Sequence, residues 1–125
     1  MALQNVSVVP VYVSDQDQSI DFFVNKLGFT KSEDAQFGEG QRWVQVSTPQ
    51  GPTTLAILKA GEYGAPSNTL GQHTGICFYA EDVRATTEEL RSKGVQITDG
   101  PSSQGWGVQA QFADPDGNGY VIVGG

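Results

Sequence analysis

VYVSDQDQSIDFFVNKLGF (residues 11–29) and CFYAEDVRATTEELRSKGV (residues 77–95) follow one plan. Each opens on a β-rich run, meets an Asp, continues in a helical pattern, and ends at Lys and then Gly before a fresh apolar residue. In the first stretch Asp15 and Gln18 make a helix start of the capping-box kind, because the carboxylate can accept a free amide of the first turn. Ile20, Phe23, Val24 and Leu27 then fall on one helical stripe, and Gly28 supplies the left-handed stop. The second stretch predicts a helix from Asp82 to about Lys93.

The repeat extends outward. VQVSTPQG (44–51) lies over AQFADPDG (110–117), with Gln45 on Gln111, Pro49 on Pro115 and Gly51 on Gly117. Two matches in the same order indicate two related modules, at 1–60 and 72–125 of one compact domain. The polar, Gly-rich segment at 61–71 joins them. Strands are predicted at SVVPVYV, near Phe29, at QRWVQVS and at TTLAILK in the first module. TGICFYA, VQIT, WGVQAQFA and GYVIVG follow in the second. Each half therefore reads β-α-β-β-β, and eight strands beside two helices specify an α+β fold rather than a parallel α/β one.

Composition narrows the partners. The 125 residues are 38% hydrophobic, enough for a core, and carry a formal charge of -7. That charge argues against binding nucleic acid phosphates or an anionic membrane, and it would suit a cationic small ligand. One cysteine, Cys77, leaves no internal disulfide and points to a reducing compartment. The start MALQNVSVVPVYV has neither the basic region nor the apolar run of a signal peptide. No stretch approaches the roughly 20 apolar residues that span a bilayer. A soluble, cytoplasmic protein is expected.

The paired modules, a V-x-D-x-x-x-S-x-x-F pattern at Val13, Asp15, Ser19 and Phe22, and the terminal DPDGN (114–118) together resemble the vicinal oxygen chelate superfamily. Its members include glyoxalase I, extradiol dioxygenases and the bleomycin-resistance proteins. The resemblance implies that the two βαβββ modules curl into a cupped mixed β-sheet with the helices outside. It also implies a homodimer with two clefts. Metal-dependent members place one His, Glu or Gln ligand on each of four strands, donors that suit a hard or borderline divalent ion. Carried onto this chain, those positions are Val8, Gly75, Val121, and Leu55 or Ile57. None offers an electron pair, so neither a metal nor another cofactor is expected.

Strand alternation sorts the remaining residues. The face holding the mapped positions takes Val6, Val8, Pro10 and Tyr12 from the first strand, and His73, Gly75, Cys77 and Tyr79 from its counterpart. Trp43, Gln45, Gln109 and Gln111 share a face, while Val44, Val46, Ala110 and Phe112 suit a helix-packed core. An aromatic, amide-rich lining fits a ligand with flat apolar parts and hydrogen-bonding edges. Trp106 has the wrong parity, but it begins a strand after the PSSQ loop and could fold over the cleft mouth or bury itself at a dimer interface. His73 reads as a binding or surface histidine and Cys77 as a small hydrophobe. Asp114 and Asp116 read as a solvated turn rather than an acid–base pair.

The expected ligand-binding set is Tyr12, Trp43, Gln45, His73, Cys77, Tyr79, Trp106, Gln109 and Gln111, with no catalytic residue. The reading is a metal-independent small-molecule binding protein that sequesters an aromatic drug or natural product, closest in character to the bleomycin-resistance branch. The alternative is a glyoxalase I-type lyase or isomerase, or another enzyme of the same superfamily.

Overall fold

The computed structural model describes residues 2–62 and 70–125, so most of the predicted joining segment at 61–71 lies outside the described residues. The chain forms two compact units, 1–70 and 71–125. The first contains β1 (Val8–Val13), α1 (Gln16–Asp21) running into a π-helical turn (Phe22–Lys26), β2 (Thr30–Gln36), β3 (Arg42–Ser47) and β4 (Thr54–Lys59). The second contains β5 (His73–Ala80), α2 (Val83–Ser92), β6 (Gln96–Gln104), β7 (Gly107–Ala113) and β8 (Gly119–Gly124). Sheet one runs β1-β4-β3-β2 and sheet two runs β5-β8-β7-β6, the same permutation twice. In each sheet the outer pair, β1 with β4 and β5 with β8, is parallel and the other pairs are antiparallel. The α+β fold of two tandem βαβββ modules is thus as the sequence predicts. No helix among the described residues is long and apolar enough to cross a membrane.

Both helices start on the residues that the sequence marks. The Asp15 carboxylate accepts the Gln18 N–H at 3.1 Å, and the Asp82 carboxylate accepts the Ala85 N–H at 3.0 Å. The buried stripe of the first helix differs from the predicted one. Gln16, Ser19, Phe22 and Phe23 are buried, whereas Ile20, Val24 and Leu27 are only half covered. The reason is the π-helical turn, in which Leu27 N–H reaches back five residues to the Phe22 carbonyl at 3.1 Å. The wider turn lets adjacent Phe22 and Phe23 both point inward, ring edge to ring face at 5.3 Å. Gln16 fastens this helix to its sheet, since its Nε2 donates to the Arg42 carbonyl at 2.8 Å and the Ile57 carbonyl at 2.9 Å.

Two further readings are corrected by the backbone. PSSQ (101–104) is strand rather than loop: Ser102, Ser103 and Gln104 pair with Gln109, Val108 and Gly107. Bulges on either side of Asp99 absorb the irregular residues and let β6 continue. Asp114 is not solvated either; it is 4% exposed. Its carboxylate accepts the Asp116 and Asn118 amides at 3.0 Å each, the Asn118 side-chain amide at 3.0 Å and the Tyr120 hydroxyl at 2.8 Å. Asn118 Oδ1 in turn accepts the Gly71 N–H at 2.9 Å, which ties the lead into β5 to the β7–β8 turn. Burial, followed by the neighbouring Asp114 charge, pushes the Tyr120 hydroxyl far above its ordinary pKa and keeps it a donor. The Phe112 and Tyr120 rings stack at 5.1 Å beneath α2.

On unit one, Arg42 grips Asp34 through Nε at 2.8 Å and a terminal nitrogen at 2.7 Å, and also reaches Asp17 on α1 at 2.9 Å. Arg42, with help from Lys31, holds the Asp34 carboxyl well below the usual carboxylate range in spite of its partial desolvation. Its stabilising contribution is therefore complete above the unfolded carboxylate value of about 3.9 and is lost as pH falls through the lower folded value.

Asp114→Ala should cost about 3 kcal/mol in urea unfolding, because buried donors lose a charged acceptor. A loss below about 0.5 kcal/mol would show the network to be incidental. Asp34→Asn should cost about 1 kcal/mol at pH 7, with the gap to the parent closing on acidification below about pH 4. A gap constant to pH 2 would contradict the assignment.

Candidate functional site

Directly paired strand residues share a face. In sheet one Val11 pairs with Ile57, which pairs with Val44, while Val9 pairs with Leu55, which pairs with Val46. Five of these six are at most 5% exposed and form the covered face with α1. The opposite face carries Pro10, Ala56, Gln45 and Glu33 in one row, and Tyr12 beside Leu58 in the next. Trp43 lies two residues from Gln45 and so shares its face. The structure brings Tyr12, Trp43 and Gln45 together there, all half-buried, as the alternation predicts.

This register corrects one assignment. Leu55 and Ile57 lie on the core face, opposite to Val8, so neither is the module-one counterpart of Val121. Val121 pairs with Cys77 and Gln111, and the equivalent residue pairing with Pro10 and Gln45 is Ala56. The cause is a turn of unequal length: residues 48–53 link β3 to β4, whereas residues 114–118 link β7 to β8. One extra residue inverts the facing of everything after it. The sequence held that signal in the spacing of TPQGPT against DPDGN, which an ungapped alignment passes over.

In sheet two the open face holds His73 with Gly119, then Cys77 with Val121, Gln111 and Asp99, then Tyr79 with Val123, Gln109 and Ser102. His73, Cys77 and Tyr79 are exposed, so Cys77 is not the buried hydrophobe expected of a free cysteine. Trp106 stays apart from this set. It sits in the two-residue turn between Gln104 and Gly107, rather than at a strand start, and is 62% exposed.

The donors do not fit a divalent ion. Val8, Ala56, Gly75 and Val121 carry no side-chain lone pair, and no group of three or more His, Cys, Asp or Glu side chains converges among the described residues. The β5 strand is also reshaped at its mapped position. Gly75 has φ 76° inside a bulge between His73 and Cys77, a conformation that a side-chain-bearing ligand adopts only with strain. His73 Nδ1 accepts the Gly75 N–H at 3.0 Å, so that lone pair is engaged within the bulge.

What the faces do offer is flat surface and amides. Trp43 Nε1 donates to Gln45 Oε1 at 2.7 Å, Gln45 Nε2 donates to Thr54 Oγ1 at 2.8 Å, and Thr54 Oγ1 reaches the Ser7 carbonyl at 3.3 Å. Thr54 was not foreseen from the sequence, since its facing depends on the same one-residue turn difference.

Residues 5–122 match the profile of the Glyoxalase/Bleomycin resistance protein/Dioxygenase superfamily. The chain is similar to TnmS3, an antibiotic binding protein from Streptomyces sp. CB03234, at 34% identity and TM-score 0.84 over 99% of this chain and 98% of that one. A Sphaerobacter thermophilus member of the superfamily shares 32% identity at TM-score 0.91, covering 98% of both chains. YetH of Bacillus subtilis is 31% identical over 121 residues, 96% of this chain and 98% of its own length. With fold, module repeat and matched profile in agreement, the chain belongs to the glyoxalase/bleomycin resistance protein/dioxygenase superfamily.

Proposed function

We propose that the protein is a metal-independent small-molecule binder that sequesters a planar aromatic compound. The observation that carries this reading is the side chains at the four mapped strand positions, Val8, Ala56, Gly75 and Val121, which are hydrocarbon or absent. A Lewis-acid mechanism needs an ion held by lone pairs at such positions. Tyr12, Trp43 and Gln45 share the face of these positions on sheet one, and Gln109 and Gln111 share it on sheet two; flat apolar surface and amide edges suit holding rather than converting a ligand. The formal charge of -7 favours a ligand that carries positive charge. The likeness to TnmS3, an antibiotic binding protein, supports the binding of a small molecule. We place the chain as a homodimer in a reducing cytoplasm, the first on the family expectation and the second on its single, exposed cysteine.

The test is a titration of the Trp106→Phe variant, in which Trp43 is the sole tryptophan, with the planar cation proflavine. Saturable quenching of Trp43 emission is expected, and Trp43→Leu should weaken proflavine binding roughly tenfold by removing the stacking surface. The hemithioacetal of methylglyoxal and glutathione should not be turned over. Turnover of that substrate with no proflavine binding would replace this reading with the glyoxalase alternative.

A further inference from the structure

Gln45 and Gln111 occupy the same place in the two repeats, each in the row of its sheet's mapped position: Gln45 beside Ala56, Gln111 beside Val121. Their hydrogen bonding is opposite. The Gln45 amide is spent at both ends, accepting from Trp43 and donating to Thr54. In the second repeat the residue equivalent to Trp43 is Gln109, and the residue equivalent to Thr54 is Gly119, by the pairings Ser47–Thr54 and Ala113–Gly119. Gln111 therefore faces neither an indole donor nor a hydroxyl acceptor. Its side-chain amide makes no hydrogen bond among the described residues, and its atoms are open to water. It is nevertheless half-buried, between Val121 on one side and Asp99 on the other.

We infer that the two equivalent glutamines have different tasks: Gln45 is a positioning residue for Trp43, and Gln111 is a specificity-determining residue that reads a hydrogen-bonding edge of the ligand. The assignment to Gln111 rests on the sequestration reading above; the assignment to Gln45 does not. With its N–H engaged, the Trp43 indole offers a ligand its ring face and no donor. Gln111 presents an N–H beside a C=O, the complement of a lactam or other cis-amide edge, through two hydrogen bonds. On sheet two the ligand feature that follows is an adjacent donor and acceptor on one rim.

Two probes of the same outline separate these roles. Phenanthridinone has the lactam edge, and phenanthridine lacks the carbonyl and the N–H. In the Trp106→Phe background, Gln111→Leu should weaken phenanthridinone roughly tenfold, as expected for two neutral hydrogen bonds, and leave phenanthridine within about twofold. Equal loss on both probes would overturn the Gln111 assignment while sequestration stands. Binding of neither probe by a parent that binds proflavine would overturn the Gln111 assignment, and binding of none of the three would remove sequestration and the reading role of Gln111 with it. The Gln45 assignment is decided without any ligand, by hydrogen exchange at the single indole N–H of that background. The proton should be protected in the parent and in Gln45→Glu, whose carboxylate still accepts it, and exposed in Gln45→Leu. Equal protection in Gln45→Leu would overturn the positioning role.

Discussion

A strand shows alternate side chains to opposite faces, so one residue of register separates a buried valine from an amide on the open face. The facing of every side chain on both sheets depends on where that register is set. In unit two it is set by Asp114, whose carboxylate gathers two backbone amides, the Asn118 side chain and the Tyr120 hydroxyl, and so fixes the step from β7 into β8. The turn places Val121 beside Cys77 and Gln111 and sends Tyr120 and Ile122 to the core face. In unit one the longer turn at 48–53 does the same work for β4, and Gln16 locks the result by bonding to carbonyls of both β3 and β4.

Much of this was legible in the sequence because it follows from local rules. The Asp15 and Asp82 caps, the β-α-β-β-β order and the facing of Trp43, Gln45, Gln109 and Gln111 each need only a few neighbouring residues. What was not legible depends on distant partners or on backbone outside the standard periods. A π-helical turn shifted the buried stripe onto Phe22 and Phe23. Asp114 reads as a solvated acid until its four donors are placed around it. Leu55 and Ile57 fall on the face opposite to the mapped one because the one-residue difference between TPQGPT and DPDGN tells only when the turn is gapped by one residue. Ala56 is equally without lone pairs, so the chemical conclusion is unchanged by the correction.

The two repeats show how one scaffold can be divided. Gln16 in the first helix is matched by Val83 in the second, Trp43 by Gln109 and Thr54 by Gly119. In unit one the polar groups bond to each other and stiffen an aromatic platform. In unit two the equivalent amides are left open on a strand face with exposed Tyr79 and Cys77. Internal satisfaction lowers the cost of presenting apolar surface, whereas an open amide rejects any partner that lacks the complementary hydrogen-bonding group.

The central claim is that the positions where metal-dependent relatives hold their cation are chemically inert here. The most direct measurement is equilibrium dialysis of the intact protein against zinc, nickel and ferrous ions, with metal content read by mass spectrometry. The account predicts no stoichiometric uptake of any of them. One ion retained per chain, and lost on substitution of a residue neighbouring Ala56 or Val121, would contradict it.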